Sequence, residues 1–309
     1  MTTDQHSRTA ETAAALRVWH TVVDDPPLIF DDRAVAPLLS PATRRLLARP
    51  PAGTLLGLRA LENAQPELAA LRGQVVTRAR FAEEAMDRTV AHGCQQLVVL
   101  GAGLDTTGLR RPELLQQATL LEVDRPGLQA WKRKQLPPAP EAQIRFVPMD
   151  FCSDRLDERL LKAGLCAHTP LFATWLGCTY YLTPEAIDTT LAALGRMAAP
   201  GSELVLDYWL PAHQLSWRGR FFLHSLGLAL ASQQEPLRGL MTPQALHQRA
   251  AAGGWRVEEE LTAADLRERW LLGRRDSLSV PAFSRCVRLV RRHAETGPPC
   301  PPHDGTTAA

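Results

Sequence analysis

Past Gly93 the chain repeats one arrangement, a short apolar run followed by a turn and a helical stretch. Seven runs of this kind follow: QLVVL (96–100), TLLEV (119–123), IRFVP (144–148), LFATW (171–175), ELVLDYW (203–209), WRVEEE (255–260) and CVRLVRR (286–292). The first, second and fourth are nearly all apolar, as strands covered on both faces must be. The sixth and seventh alternate apolar and polar residues, which predicts two edge strands in a hairpin-like pair. Strands alternating with helices predict an α/β fold, a mostly parallel seven-stranded sheet with helices on both faces. Thr183-Pro184 and Thr242-Pro243 mark two helix starts, with Thr as N-cap and Pro at the first helical position. The first of these helices should end at Pro200-Gly201 and the second at Gly253-Gly254.

Residues 10–90 have a different texture. Leu and Ala recur at helical spacing, broken by Pro26-Pro27, Pro37, Pro41 and Pro50-Pro51, and Leu68 to His92 reads as one long helix stopped by Gly93. The expected organisation is therefore a disordered 1–8, a helical cover over 9–92 belonging to the same domain, a core over 93–295, and a disordered tail over 296–309. The Pro- and Gly-rich composition of that tail is the reason for the last assignment.

Composition excludes several classes. Thirty-five basic and 33 acidic residues give a formal net charge of +2, too balanced a field to hold a polyanion, so no nucleic-acid partner is expected. The six cysteines, Cys94, Cys152, Cys166, Cys178, Cys286 and Cys300, form no CxxC pair, and the nine histidines show no paired spacing, so no metal site is expected. The first twenty residues lack a signal-peptide core, and no apolar stretch is long enough to span a bilayer. Free thiols and a cytoplasmic protein without a membrane partner follow as expectations.

The first strand runs into Gly101-Ala102-Gly103-Leu104-Asp105-Thr106. Glycines there allow a sharp turn and a close backbone approach to a ligand. The second strand ends in Glu122-Val123-Asp124, about twenty residues on, where a carboxylate can accept both hydrogen bonds of a ribose diol. The third ends in Asp150-Phe151, an acid for an exocyclic amine beside a ring to pack against a base. These three strand ends share the rim where open α/β sheets bind ligands, so the fold reads as Rossmann-like with a nucleoside site.

Two cofactors compete for that site. A dinucleotide requires GxGxxG and a pyrophosphate on the helix N-terminus, but Thr106 holds the third glycine position and Asp105 would repel the phosphates. S-adenosyl-L-methionine carries a sulfonium and a zwitterionic end and tolerates an acid at Asp105. The pattern favours it, with an NAD(P)-dependent oxidoreductase as the alternative.

VVLGAGLDTTGLRRP (98–112), LLEVDRPGLQAWKRKQL (120–136), VPMDF (147–151) and WLGCTYYLTPEAI (175–187) resemble the leucine carboxyl methyltransferase-like group, and the bacterial O-methyltransferase branch in particular. SRTAETAAALRVWHTVVDDPPLIFDD (7–32) is similar to that branch's opening. The resemblance implies a class I S-adenosyl-L-methionine-dependent methyltransferase fold. It implies a cofactor site of Arg78, Gly101, Gly103, Asp105, Glu122, Asp124, Asp150 and Phe151, with Arg78, or Arg80 two residues on, clamping the methionine carboxylate. The family's eukaryotic members carry a glutamate where this chain has Leu176 before Gly177, so the phosphatase substrate does not transfer.

The expected activity is methyl transfer to a carboxylate or hydroxyl of a small molecule, in secondary metabolism, with a catalytically silent cofactor-binding module as the reading from another class. A hydroxyl acceptor needs a general base and a carboxylate does not. His213, His224 and His247 lie in the region that covers the site, and Tyr180, Tyr181, Tyr208 and Trp209 follow the fourth and fifth strands as pocket lining or core. No catalytic residue and no oligomeric state can be assigned from these patterns.

Overall fold

A computed structural model describes residues 8–48, 53–64, 67–136 and 144–291. The polar ends expected to be disordered lie outside the described residues, except that Arg8 opens the first helix.

The N-terminal quarter is helical, with α1 (Arg8–Val23), α2 (Pro41–Ala48), α3 (Thr54–Ala64) and the long α4 (Glu67–Ala91). Gly93 stops the last of these at φ +92°, a left-handed conformation that favours glycine. Seven strands follow: β1 (Gln96–Leu100), β2 (Thr119–Asp124), β3 (Ile144–Pro148), β4 (Phe172–Trp175), β5 (Glu203–Trp209), β6 (Trp255–Thr262) and β7 (Ser284–Arg291). Between them lie α5 (Thr107–Arg110), α6 (Pro112–Leu115), α7 (Pro126–Gln135), α8 (Leu156–Lys162), α9 (Pro184–Met197), α10 (Trp217–Ser232), α11 (Pro243–Ala252) and α12 (Ala263–Trp270). Thr183 and Thr242 cap α9 and α11 as the sequence predicts, accepting from Ala186 and Ala245 N–H.

The sheet order is β3-β2-β1-β4-β5-β7-β6. The first five of these strands pair in parallel, while β7 runs antiparallel to both β5 and β6. Here the structure corrects one expectation. β6 is an edge, but β7 is inserted between it and β5, which explains why Cys286, Val287 and Leu289 are buried despite the alternating pattern.

Alternation along each strand divides the core between two faces. Leu97, Leu120, Ile144 and Phe172 pack with Phe81, Ala82, Ala85 and Met86 of α4 and Leu266 of α12. Val98, Leu100, Leu121, Val123, Ala173 and Leu206 pack with Leu156, Leu160, Leu191, Leu194 and Leu246 of α8, α9 and α11. α4 is thus a layer of the sheet sandwich, whereas α1 packs farther out, with Leu104, Leu128 and Leu136. β1 lies between β2 and β4, so the strand order reverses there, and ligands of open α/β sheets bind at the carboxyl ends beside such a reversal.

Candidate cofactor and acceptor site

A cleft of about 410 Å³ opens at that point, within the roughly 300–1,000 Å³ typical of small-molecule sites. One end is built by the turns after β1, β2 and β3. Gly101 and Gly103 adopt φ +62° and +51°, and a Cβ on Gly101 would run into Cys178 Sγ. The turn therefore needs glycine for both backbone and space. Gly103 N–H donates to Asp124 Oδ2 at 2.5 Å, and Arg125 N–H donates to Oδ1 at 2.6 Å. These bonds aim the carboxylate into the cleft, and each oxygen keeps a further lone pair for a ligand hydroxyl. Burial pushes the Asp124 pKa up, against the two N–H groups that favour the ion. Asp150 and Phe151 line the same wall. Asp150 accepts from Cys152 N–H at 2.8 Å, and Phe151 lies nearly parallel to Trp175 at 6.0 Å between centroids.

Arg78 enters from α4. Its Nη1 donates to Asp207 Oδ2 at 2.8 Å and to Tyr180 Oη at 3.0 Å, and Asp207 Oδ1 accepts from Gly177 N–H at 2.6 Å. Desolvation alone would lower the Arg78 pKa, but Asp207 and Tyr180 outweigh it and hold the guanidinium charged. A Cβ on Gly177 would come within 2.7 Å of Arg78 Nη2, so Gly177 leaves that nitrogen room beside the cleft. Leu176 forms an apolar stretch of the wall.

α1 closes the cleft through Thr9, Ala10, Ala13 and Arg17. Arg17 donates to Leu104 O and to the buried Asp32, both at 2.6 Å, and Asp32 also accepts from Thr106 Oγ1 at 2.5 Å. The outer helix is thereby fastened to the glycine turn. A smaller polar cavity adjoins the cleft behind that turn, lined in part by Arg17, Arg78, Asp105 and Thr106.

Six of the eight residues expected at the cofactor line this one cleft: Arg78, Gly101, Gly103, Asp124, Asp150 and Phe151. Two do not. Asp105 turns back to accept from Thr107 N–H at 2.8 Å and faces the adjoining cavity, because a short acid before a helix satisfies its free N–H groups. Glu122 is fully buried on Lys132 Nζ at 2.6 Å. Burial pushes its pKa up to about 7, with Lys132 opposing the rise. Arg80, the alternative clamp, is an exposed partner of Glu84. Tyr180 and Tyr181 line the cleft, whereas Trp209 stacks beneath Tyr180 at 3.9 Å and Tyr208 bonds Glu260 elsewhere. His213 and His224 are exposed, and His247 pairs with Glu260 at 2.7 Å.

Residues 10–195 match the leucine carboxyl methyltransferase family. The chain belongs to that family. A Bacillus subtilis relative, provisionally named an S-adenosyl-L-methionine-dependent methyltransferase, is 29% identical over 94% of this chain and 100% of its own. A Parafrankia relative of the same provisional name is 32% identical over 65% of this chain and 62% of its own. Two solved structures share the fold at 15% identity. One is a Thermobifida fusca protein provisionally titled a methyltransferase, with TM-score 0.54, covering 90% of this chain and 94% of that one. The other is a DUF574 protein from Streptomyces avermitilis, with TM-score 0.53, covering 90% and 97%.

The chain is an S-adenosyl-L-methionine-dependent methyltransferase, which sets aside the nicotinamide alternative. The cleft fits that cofactor: it offers a side-chain-free turn, a carboxylate at the next strand end and a charged guanidinium across from it. Among the described residues no cluster of three His, Cys, Asp or Glu could hold a metal, and no helix is long and apolar enough to cross a membrane.

Sequence reasoning missed Asp207, Arg17 and Asp32. Asp207 carried a signal, since a lone acid inside the apolar run ELVLDYW must find a cation when buried. Arg17 follows Ala10 and Ala13 on one face of α1, but nothing in the sequence says what that face covers.

Proposed function

We propose that the enzyme methylates a carboxylate oxygen of a small-molecule acceptor. In this reading Asp124 takes the ribose diol, Asp150 and Phe151 take the adenine, and Gly101 and Gly103 let the cofactor approach the backbone. Arg78 takes the methionine carboxylate, with Arg17 beside it.

The observation that carries the reading is that, among the described residues, no free general base stands at the acceptor end. Tyr180, Tyr181 and Leu182 form its wall, and among the described residues no histidine lines the cleft. Burial pushes the Cys178 thiol up to about 12 and both tyrosines above their ordinary values, so none of the three accepts a proton near neutrality. Glu235 lines that end but already interacts with another group. A hydroxyl acceptor would retain its proton there. A carboxylate arrives ionised, and the chain's task reduces to positioning it and excluding water.

When bound, S-adenosyl-L-methionine supplies a methyl group on a sulfonium. Its transfer to an ionised carboxylate would form the O–CH3 bond as the CH3–S bond gives its electron pair to sulfur, and would ask the chain to move no proton. A screen with methyl-labelled cofactor over matched carboxylic acids and alcohols tests this. Label in base-labile esters is the expected result. Label in base-stable ethers would overturn the carboxylate assignment, and cofactor binding without turnover on any acceptor would favour a silent module.

A further inference from the structure

The segment between α10 and α11 turns back over the acceptor end of the cleft, and Gln234, Glu235, Pro236 and Arg238 line it. Its course is fixed by backbone. Gln234 adopts φ +64°, and Arg238 and Gly239 N–H both donate to Tyr180 O, at 2.9 and 3.1 Å. Met241 N–H donates to Trp209 O at 3.0 Å. A Cβ on Gly239 would run into Thr179 O and come within 2.7 Å of Leu182 O, so the segment lies flush against the Tyr180 turn. Tyr180 is itself held, stacked on Trp209 and bonded through Oη to Arg78. One tyrosine thus meets Arg78 through its hydroxyl and the Arg238 backbone through its carbonyl.

The cationic side chains along the cleft differ in what they already hold. Arg17 is committed to Asp32 and Leu104 O and Arg78 to Asp207, while Arg125 follows Asp124 at the cofactor end of the cleft, away from the acceptor wall. Among the described residues, no hydrogen bond or ion pair engages the Arg238 guanidinium. It stands beside an apolar wall of Tyr180, Tyr181, Leu182 and Pro236. A fork of unused donors next to such a wall matches a planar anion on an apolar body.

We propose that Arg238 is the acceptor-binding residue, pairing with the carboxylate of an aromatic or aliphatic monocarboxylic acid whose body packs on Tyr180 and Tyr181. The inference rests on the carboxylate reading above. It adds the residue that selects for that charge, and the class of acid. One carboxylate oxygen held by Arg238 leaves the other free to meet the methyl group, so the residue orients the acceptor without moving a proton.

The test is calorimetry on the full chain saturated with S-adenosylhomocysteine. Benzoate, phenylacetate and hexanoate are titrated, each alongside its primary amide, into the wild type, R238Q and R238K. The wild type should prefer each acid to its amide. R238Q should erase that preference, with a loss of about ten- to a hundredfold for the acids. R238K should keep part of it, and all three proteins should hold S-adenosylhomocysteine equally, which also reports intact folding. With any acid that turns over, R238Q should raise KM more than it lowers kcat. A wild type that binds none of the acids, or binds acids and amides alike, overturns the carboxylate reading and this inference with it. A preference that survives in R238Q overturns the role of Arg238 alone, as does a loss of S-adenosylhomocysteine affinity in R238Q.

Discussion

On the proposed reading Arg78 has two tasks, and they can be separated by one double-mutant cycle. It neutralises Asp207, and it offers Nη2 to the cofactor end of the cleft. The ion pair spans 2.8 Å, with Arg78 7% and Asp207 1% exposed. Removing one partner of such a buried pair costs about 3–5 kcal/mol, because the other charge stays buried without compensation. Arg78→Met should therefore lower stability by that amount and also weaken binding of the cofactor carboxylate. One charge-assisted hydrogen bond to the cofactor is worth about 1.5–3 kcal/mol, or roughly ten- to 150-fold in Kd. Arg78→Met/Asp207→Asn removes both charges, while Asn retains an oxygen for Gly177 N–H. The double variant should recover most of the stability and none of the affinity. Denaturant midpoints and calorimetry with S-adenosyl-L-methionine read the two quantities independently. A double variant that regains cofactor affinity together with stability would refute the clamp and leave Arg78 as a structural cation.

Asp124→Ala should weaken cofactor binding by about 1–3 kcal/mol in calorimetry, and an unchanged affinity would remove it from the ribose role. Gly101→Ala should abolish binding altogether, since its Cβ runs into Cys178 and its φ is left-handed, whereas Gly53→Ala, with open space at a similar φ, should bind normally. Arg72 forks between Asp24 and Glu62 deep under the N-terminal helices, and Arg72→Met should cost about 3–5 kcal/mol in urea unfolding with little change in cofactor affinity per folded molecule. Burial alone would raise the Asp24 pKa, but the bonds from His20 and Arg72 hold it below the ordinary 3.8. Its contribution is therefore complete above that value and lost as pH falls through the lower folded one. The stability gap between wild type and Asp24→Asn should accordingly narrow as pH drops below about 4.

The sheet was legible because its signals are local. Each apolar run in 96–209 became a strand within a residue or two of its expected ends, and Thr183 and Thr242 capped the helices they preceded. β7 was misplaced because alternation reports only that some positions are more polar, and an inner strand whose Arg285, Arg288 and Arg291 are half-buried looks the same in sequence as an edge. The six residues found in the cleft share a reason for being readable. The five from Gly101 to Phe151 sit at strand ends, where chain order and spatial order coincide, and the family resemblance supplied Arg78. Glu122 and Asp105 lie outside the cleft because a side chain's direction, which the sequence pattern does not give, decides what it lines. Glu122 is two residues before Asp124 and so shares its face of the strand, yet it lies deeper, level with Lys132 of α7 rather than at the rim.

The residues that remained hidden make contacts that span the chain, and these contacts tie the N-terminal helices to the glycine turn. Arg17 and Asp32 belong to a segment with no strand and no motif of its own, yet they grip Leu104 O and Thr106 Oγ1 on the glycine turn. Arg78 crosses from α4 to Asp207 and Tyr180, and Tyr180 O in turn fixes Arg238. A ligand charge placed at Arg78 therefore touches a chain of contacts that reaches the acceptor segment through one buried tyrosine. Tyr180→Phe breaks the Arg78 bond but keeps the stacking and the carbonyl, so it should weaken the cofactor and leave acceptor preference intact. A substitution at Gly239 disturbs the carbonyl side and should do the reverse. If both variants weakened both ligands in equal measure, the two ends of the cleft would be one cooperative unit rather than two sites sharing a residue.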